Sequence, residues 1–220
     1  MGRTMLIAGE LARSADLSYS QKIETPAGTI LLQRNCPPSL VARLRADSGL
    51  RAFARLPERE HALLLGIAKR SDSSLTLAYT PAGEIVGEVT IAPADSWWEG
   101  LQCTHEIAIQ VSAHWRRLGV GHRLLALALE RADLEDMILL ALGLSWHWDM
   151  DGLGIDRFRY RNLIARLFAR YGFAEYLTSE PNIRMDPANV MSARIGCRVD
   201  QRLVNEFIGR TLRSERLPGL

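Results

Sequence analysis

Apolar and polar residues alternate through residues 19–33 on both sides of Thr25-Pro26-Ala27-Gly28, which predicts two short strands joined by a tight turn. Pro37 and Pro38 end that pair, and Ser39 is placed to cap a helix carrying Leu40, Val41 and Leu44 on one face. Residues 58–69 read as a second amphipathic helix with Leu63, Leu64 and Ile67 inward. Residues 75–80 and 84–92 pair as a hairpin about Pro81-Ala82-Gly83, and 95–100 form a polar-aromatic loop. In 105–111 the alternation of Ile107, Ile109 and Val111 predicts a strand. A loop over 112–118 then opens a helix running from Gly119 to about Ala132. Residues 137–145 are a continuous apolar run, as expected for a strand buried on both faces. A helix over 156–170 closes at Gly172, 173–178 is a final core strand, 179–187 a loop, and 201–212 a C-terminal helix. The order is that of an α+β chain built on a mostly antiparallel sheet.

Composition narrows this picture a little. With 47% hydrophobic and 24% charged residues among 220, the chain has the make-up of a globular protein able to bury its own core. The organisation expected is one domain over 19–197, with an N-terminal extension 1–18 and a C-terminal helical extension 198–220. Cys36, Cys103 and Cys197 are odd in number and widely spaced, so neither a disulfide framework nor a metal site is indicated. The apolar patch at 5–8 is too short for a secretory core, and the run at 137–144 falls far below the ~20 residues that span a bilayer. A cytoplasmic protein without membrane association is expected. Of the 27 basic residues only Lys22 and Lys69 are lysine. The net charge of +2 and the absence of a basic run with interleaved aromatics argue against a nucleic-acid partner.

The chemistry concentrates in Val111-Ser-Ala-His-Trp-Arg116-Arg-Leu-Gly119-Val-Gly121-His-Arg, where a strand leads into a loop and the loop opens a helix through two glycines. Backbone amides at a helix start are unpaired and the helix dipole adds partial positive charge. Glycines let a diphosphate approach that closely. A Gly-x-Gly alone is weak evidence. The Walker A spacing is absent, and Leu124 stands where a dinucleotide fingerprint needs its third glycine. The pattern Arg116-x-x-Gly119-x-Gly121 after an apolar strand resembles the acyl-CoA loop of GNAT acetyltransferases. That resemblance implies the GNAT fold, a mixed and mostly antiparallel sheet flanked by helices, and acetyl-CoA as co-substrate. It also implies contacts from Ile109, Val111, Arg116, Arg117, Leu118, Gly119, Val120, Gly121, His122 and Arg123, with Asn162 beside the pantetheine arm.

The second half carries a narrower likeness. Trp146-His147-Trp148-Asp149, Tyr160-Arg161, Asp186-Pro187-Ala188-Asn189 and Met191-Ser192-Ala193-Arg194-Ile195-Gly196 resemble the acetoin-utilisation (AcuA) branch of that family. It departs in having Asp186 before the proline and arginine for many lysines. The resemblance implies acetylation of a lysine on a protein partner, an acyl-CoA synthetase such as acetyl-CoA synthetase. The alternatives are a small amine or amino acid as acceptor, or a silent acyl-CoA-binding regulator.

A lysine amine with a pKa near 10.4 is neutral in only about 1 molecule in 2,500 at pH 7, a deficit of roughly 4.6 kcal/mol. A general base recovers part of it. Glu106, at the start of the strand before the loop, is the first candidate, because histone-type GNAT enzymes carry their glutamate about one residue away from this place. His105 and Asp149 are its rivals. The tyrosine that many members use to protonate the leaving thiolate is replaced by Phe168, leaving Tyr160 and Tyr171 open for that role.

Overall fold

The computed structural model describes residues 20–212 except Arg55 and Asp95. The expected extension 1–18 lies outside the described residues, as do 213–220 at the other end. The strands are β1 Ser20–Thr25, β2 Gly28–Gln33, β3 Arg45–Ala46, β4 Ser74–Tyr79, β5 Glu84–Pro93, β6 Thr104–Val111, β7 Ile138–Gly143, β8 Ala174–Tyr176 and β9 Val190–Ile195. They form one sheet in the order β1-β2-β4-β5-β6-β7-β9-β8, with β3 added to β5 in parallel. Along the main path only β6 and β7 run parallel. The helices are α1 Pro38–Val41, α2 Pro57–Ala68, α3 Val120–Leu129, α4 Met150–Leu153, α5 Arg157–Ala169, α6 Pro181–Arg184 and α7 Gln201–Thr211.

Two layers cover the sheet. On one face, Val120, Leu124 and Leu125 of α3 and Phe168 of α5 pack onto Val89, Ile107, Leu139 and Ala141. On the other, Val41 and Leu64 of α1 and α2 meet Leu75, Leu77 and Ile85, while Phe207 of α7 meets Trp98, Leu140 and Met191. Leu139 and Leu140 go to opposite layers, as neighbours on a strand must.

Several expectations need correcting. Pro37, not Ser39, caps α1, because Pro38 with its fixed φ takes the first helical position and moves Ser39 inside the turn. On α2 Leu63 is exposed, and Glu60 occupies a fully buried position instead. The helix from Gly119 stops at Leu129, and residues 132–136 form a separate 3-10 turn. Residues 173–178 do not make the final core strand: β8 is three residues long, mostly exposed, and pairs only with β9 at the sheet edge. The buried residue there is Phe173, just ahead of the strand. The core strand is β9, which inserts between β7 and β8. Its Ser192 and Arg194 break the apolar run, and so the sequence pattern did not reveal it. The expected loop 179–187 contains α6, capped by the Glu180 carboxylate, which accepts from Ile183 N at 2.7 Å.

Candidate active site

The parallel pair β6 and β7 holds together for three rungs, Thr104↔Ile138, His105↔Leu139 and Glu106↔Leu140. Beyond Glu106 the strands part. β6 continues beside β5 as far as Val111↔Gly87, and β7 continues beside β9 as far as Gly143↔Val190. The β7-facing edge of residues 107–111 therefore has no strand partner, and its backbone groups open into a cleft of about 1450 Å³. A thioester arm laid there finds amides that no neighbouring strand has used.

The loop after β6 is clamped from beneath. Ser112 Oγ donates to Asp47 Oδ1, and Asp47, itself buried, also accepts from Gly49 N at 2.8 Å and His114 Nδ1 at 3.0 Å. Ala113 N donates to Gly49 O at 3.2 Å. A side chain at position 49 has no room: its Cβ would stand 2.4 Å from Ser112 Oγ and 2.8 Å from Ala113 N. Buried Trp115 ties the loop to the core. The chain then turns through Arg117 at φ 62° and Gly119 at φ 76° into α3, whose N-cap Gly119 offers no side-chain acceptor. The first amides of α3 are thus left for an anion, with the dipole behind them.

Most of the residues expected at the cofactor line the cleft: Ile109, Val111, Arg116, Arg117, Gly119, Val120, Gly121, His122 and Asn162. Leu118 and Arg123 do not. Leu118 packs against the core, and Arg123 N closes the first helical turn on Gly119 O at 3.2 Å. Of the three candidate bases, Glu106 and Asp149 line the cleft and His105 stays out of it. His105 points to the other face of the sheet from Glu106, where burial lowers its pKa and leaves Nδ1 without a partner. Asp149 is already committed: Arg116 Nη1 donates to its carboxylate, which also caps α4 through Gly152 N at 3.0 Å. The Arg116 guanidinium holds Asp149 below the ordinary carboxylate range, which makes it a poor proton acceptor. Phe168 is a core residue set edge-on to Phe173. Tyr171 Oη donates to His122 O at 2.6 Å, whereas Tyr160 lines the cleft, its pKa pushed up by burial.

Sequence reading missed the polar network under the cleft. Gln110 alternates with Ile109 and Val111 and so faces away from α3. Its Oε1 accepts from Ala52 N, and its Nε2 donates to Glu60 Oε1 at 2.9 Å. Glu60 Oε2 accepts from Ala54 N at 3.0 Å. Glu88, 1% exposed, faces the Glu60 carboxyl and the Gln110 amide, and neither of its oxygens meets a donor at bonding distance. Burial first, and then the Glu60 charge, push the Glu88 pKa well above the usual carboxyl value, and burial raises Glu60 also. The one signal in the sequence was a glutamine and a glutamate inside otherwise apolar strands.

The 146–149 run joins three parts of this site: the 52–54 segment, α5 and the loop after β6. Trp146 Nε1 donates to His147 Nε2 at 3.0 Å, so Nδ1 carries the His147 proton and donates to Ala52 O at 2.7 Å. Trp148 stacks on Tyr160 at 5.0 Å and 6°. Asp149 holds Arg116.

The sheet that splays beside a glycine-opened helix is the arrangement that the resemblance to acyl-CoA-dependent acyltransferases implies, and comparison with known proteins agrees. Residues 41–144 match the sequence model of the acetyltransferase (GNAT) family. The acetoin utilization protein AcuA of Bacillus subtilis strain 168 is 31% identical over 194 residues, which is 86% of this chain and 91% of that protein. A crystal structure of an acetoin utilization protein from Exiguobacterium sibiricum 255-15 superposes with a TM-score of 0.84 at 29% identity, over 89% of this chain and 94% of that one. A GNAT acetyltransferase from Streptococcus pneumoniae, 16% identical with a TM-score of 0.50 over 75% of this chain and 98% of that one, shares the fold. The chain belongs to the GNAT family of acetyltransferases, in its AcuA branch. It is an N-acetyltransferase that depends on acetyl-CoA. Among the described residues there is no cluster of His, Cys, Asp and Glu suited to a metal, and no helix long and apolar enough to cross a membrane.

Proposed function

We propose that the protein transfers the acetyl group of acetyl-CoA to the ε-amine of a lysine on a cytoplasmic protein partner, an acyl-CoA synthetase. The observation that carries this reading is the likeness to AcuA along 86% of the chain, which includes the 146–149 run that walls the cleft. In the proposed path the diphosphate rests on the amides that open α3, and the arm enters the wedge past Ile109, Val111 and Asn162. Glu106, on the last rung that β6 shares with β7, takes the proton from the lysine ammonium. The free amine forms a C–N bond to the thioester carbon, amides on the open edge of β6 receive the oxyanion, and the C–S bond breaks. The nitrogen then gives up its second proton to water or to the departing sulfur, directly or through Tyr160, and with a thiol pKa near ~8.5 the thiolate needs little help. Three unpaired cysteines suit a reducing compartment.

Mass spectrometry of an acyl-CoA synthetase incubated with the protein and acetyl-CoA tests this reading. Acetylation of a single lysine, dependent on the enzyme, is expected. Transfer only to free amines or amino acids, or tight CoA binding with no thiol released to any amine, overturns it.

A further inference from the structure

The carbon skeleton of a lysine is four methylenes ending in a cation, and the side of the cleft away from α3 presents a surface matched to that shape. Phe53 and Trp146 flank His147, with ring centroids 5.3 Å and 5.9 Å from it. All three line the cleft, and Trp146 is 45% exposed. Their placement is built in. The 52–54 backbone hangs on Gln110 and Glu60, which lie on the face opposite α3. His147 is held to the same backbone through Ala52 O. The three rings line the same cleft as the open edge of β6.

We propose that Phe53, Trp146 and His147 form the acceptor wall and select a long unbranched alkylammonium, the lysine side chain of a polypeptide, over acceptors with a free carboxylate. This rests on the acetyl-transfer reading above and identifies the acceptor half of that same site. The selectivity follows from which atoms are already used. The Trp146 indole N–H goes to His147, the His147 N–H goes to Ala52 O, and the amides of Ala52 and Ala54 go to Gln110 and Glu60. The side chains of the wall therefore show ring faces, with both of their N–H groups already used. Ring faces attract cations and cover methylenes, but they offer nothing to a carboxylate. Arg51 lines the same cleft, its Nε donating to Ser48 O at 2.8 Å and its charge helping to lower the Asp149 pKa. A cation held against rings resists deprotonation, so the wall serves entry and alignment, and the proton leaves deeper in the cleft beside Glu106.

The test compares Trp146→Leu and Phe53→Leu with Trp146→Phe and Phe53→Tyr, using Nα-acetyl-lysine amide as acceptor and release of the CoA thiol as readout. Leucine keeps bulk and loses the π face. Each leucine variant is expected to raise the KM for the acceptor roughly three- to tenfold, while the KM for acetyl-CoA stays within about twofold and the aromatic variants recover most of the loss. A calorimetric titration of the CoA-bound protein with the same amide gives the binding step without turnover. Binding that depends on the rings, with no transfer, leaves the wall standing and overturns the acetyl-transfer reading. Transfer that is indifferent to leucine overturns the wall, as does a matching rise in the KM for acetyl-CoA.

Discussion

Glu106 sits where three strands last run together, paired to Ala92 on one side and Leu140 on the other, so its carboxyl has a fixed address at the apex of the wedge. If it removes the ammonium proton, Glu106→Gln lowers turnover at neutral pH by about 10²–10⁴ with CoA affinity kept, and the deficit shrinks at high pH, where the amine deprotonates unaided. A deficit independent of pH contradicts that role. Glu88 makes a separate prediction. Folding raises its pKa above the ordinary 4.5, so the stability linked to its proton is fully present below pH 4.5. That stability is lost as the pH rises from there through the folded value. Glu88→Gln keeps the shape without the ionisation, so its melting temperature should gain on the parent by a few degrees as the pH climbs through that window. Thermal scans from pH 4.5 to 8.5 check it; a gap that does not change with pH contradicts it. At this scale the glycine-opened start of α3 was legible, because Arg116, Gly119 and Gly121 lie within six consecutive residues. Glu60, Glu88 and Gln110 were not, because they come from α2, β5 and β6 and meet only after folding.

Among the elements, the turn from β6 into α3 owes its shape to a second segment, 47–49, that no local pattern connects to it. Gly49→Ala drives a methyl into Ser112 Oγ and the Ala113 amide, both of them in the loop that leads to the start of α3. CoA affinity is expected to fall about tenfold, with about 1–3 kcal/mol lost in stability. Gly66→Ala is the contrasting case. It lies inside α2 with nothing within 4 Å of the new methyl, and should leave CoA binding untouched while adding up to about 1 kcal/mol. Denaturant titration with calorimetry on both variants separates the two effects. Strands with a clean pattern, β4 to β7, were read to within about a residue or two, as was α5. The tail of the sheet was not. A three-residue edge strand has too little pattern to distinguish, and β9 owes its burial to neighbours on both sides rather than to an apolar period.

As a whole, the molecule is two helical layers closed over a sheet that is deliberately incomplete between β6 and β7. The C-terminal helix belongs to that closure: Phe207 is fully buried against Trp98 and Tyr176. Phe207→Ala should cost about 3–5 kcal/mol and leave catalysis at low temperature little changed, since the helix packs away from the cofactor loop. A loss under about 1 kcal/mol by denaturant unfolding contradicts that packing role. The account as a whole turns on whether the amides at the start of α3 accept a diphosphate. Isothermal titration with coenzyme A asks this directly. One molecule bound per chain, with affinity that weakens as salt rises, is the predicted result. The absence of any heat or thermal shift at saturating coenzyme A contradicts it.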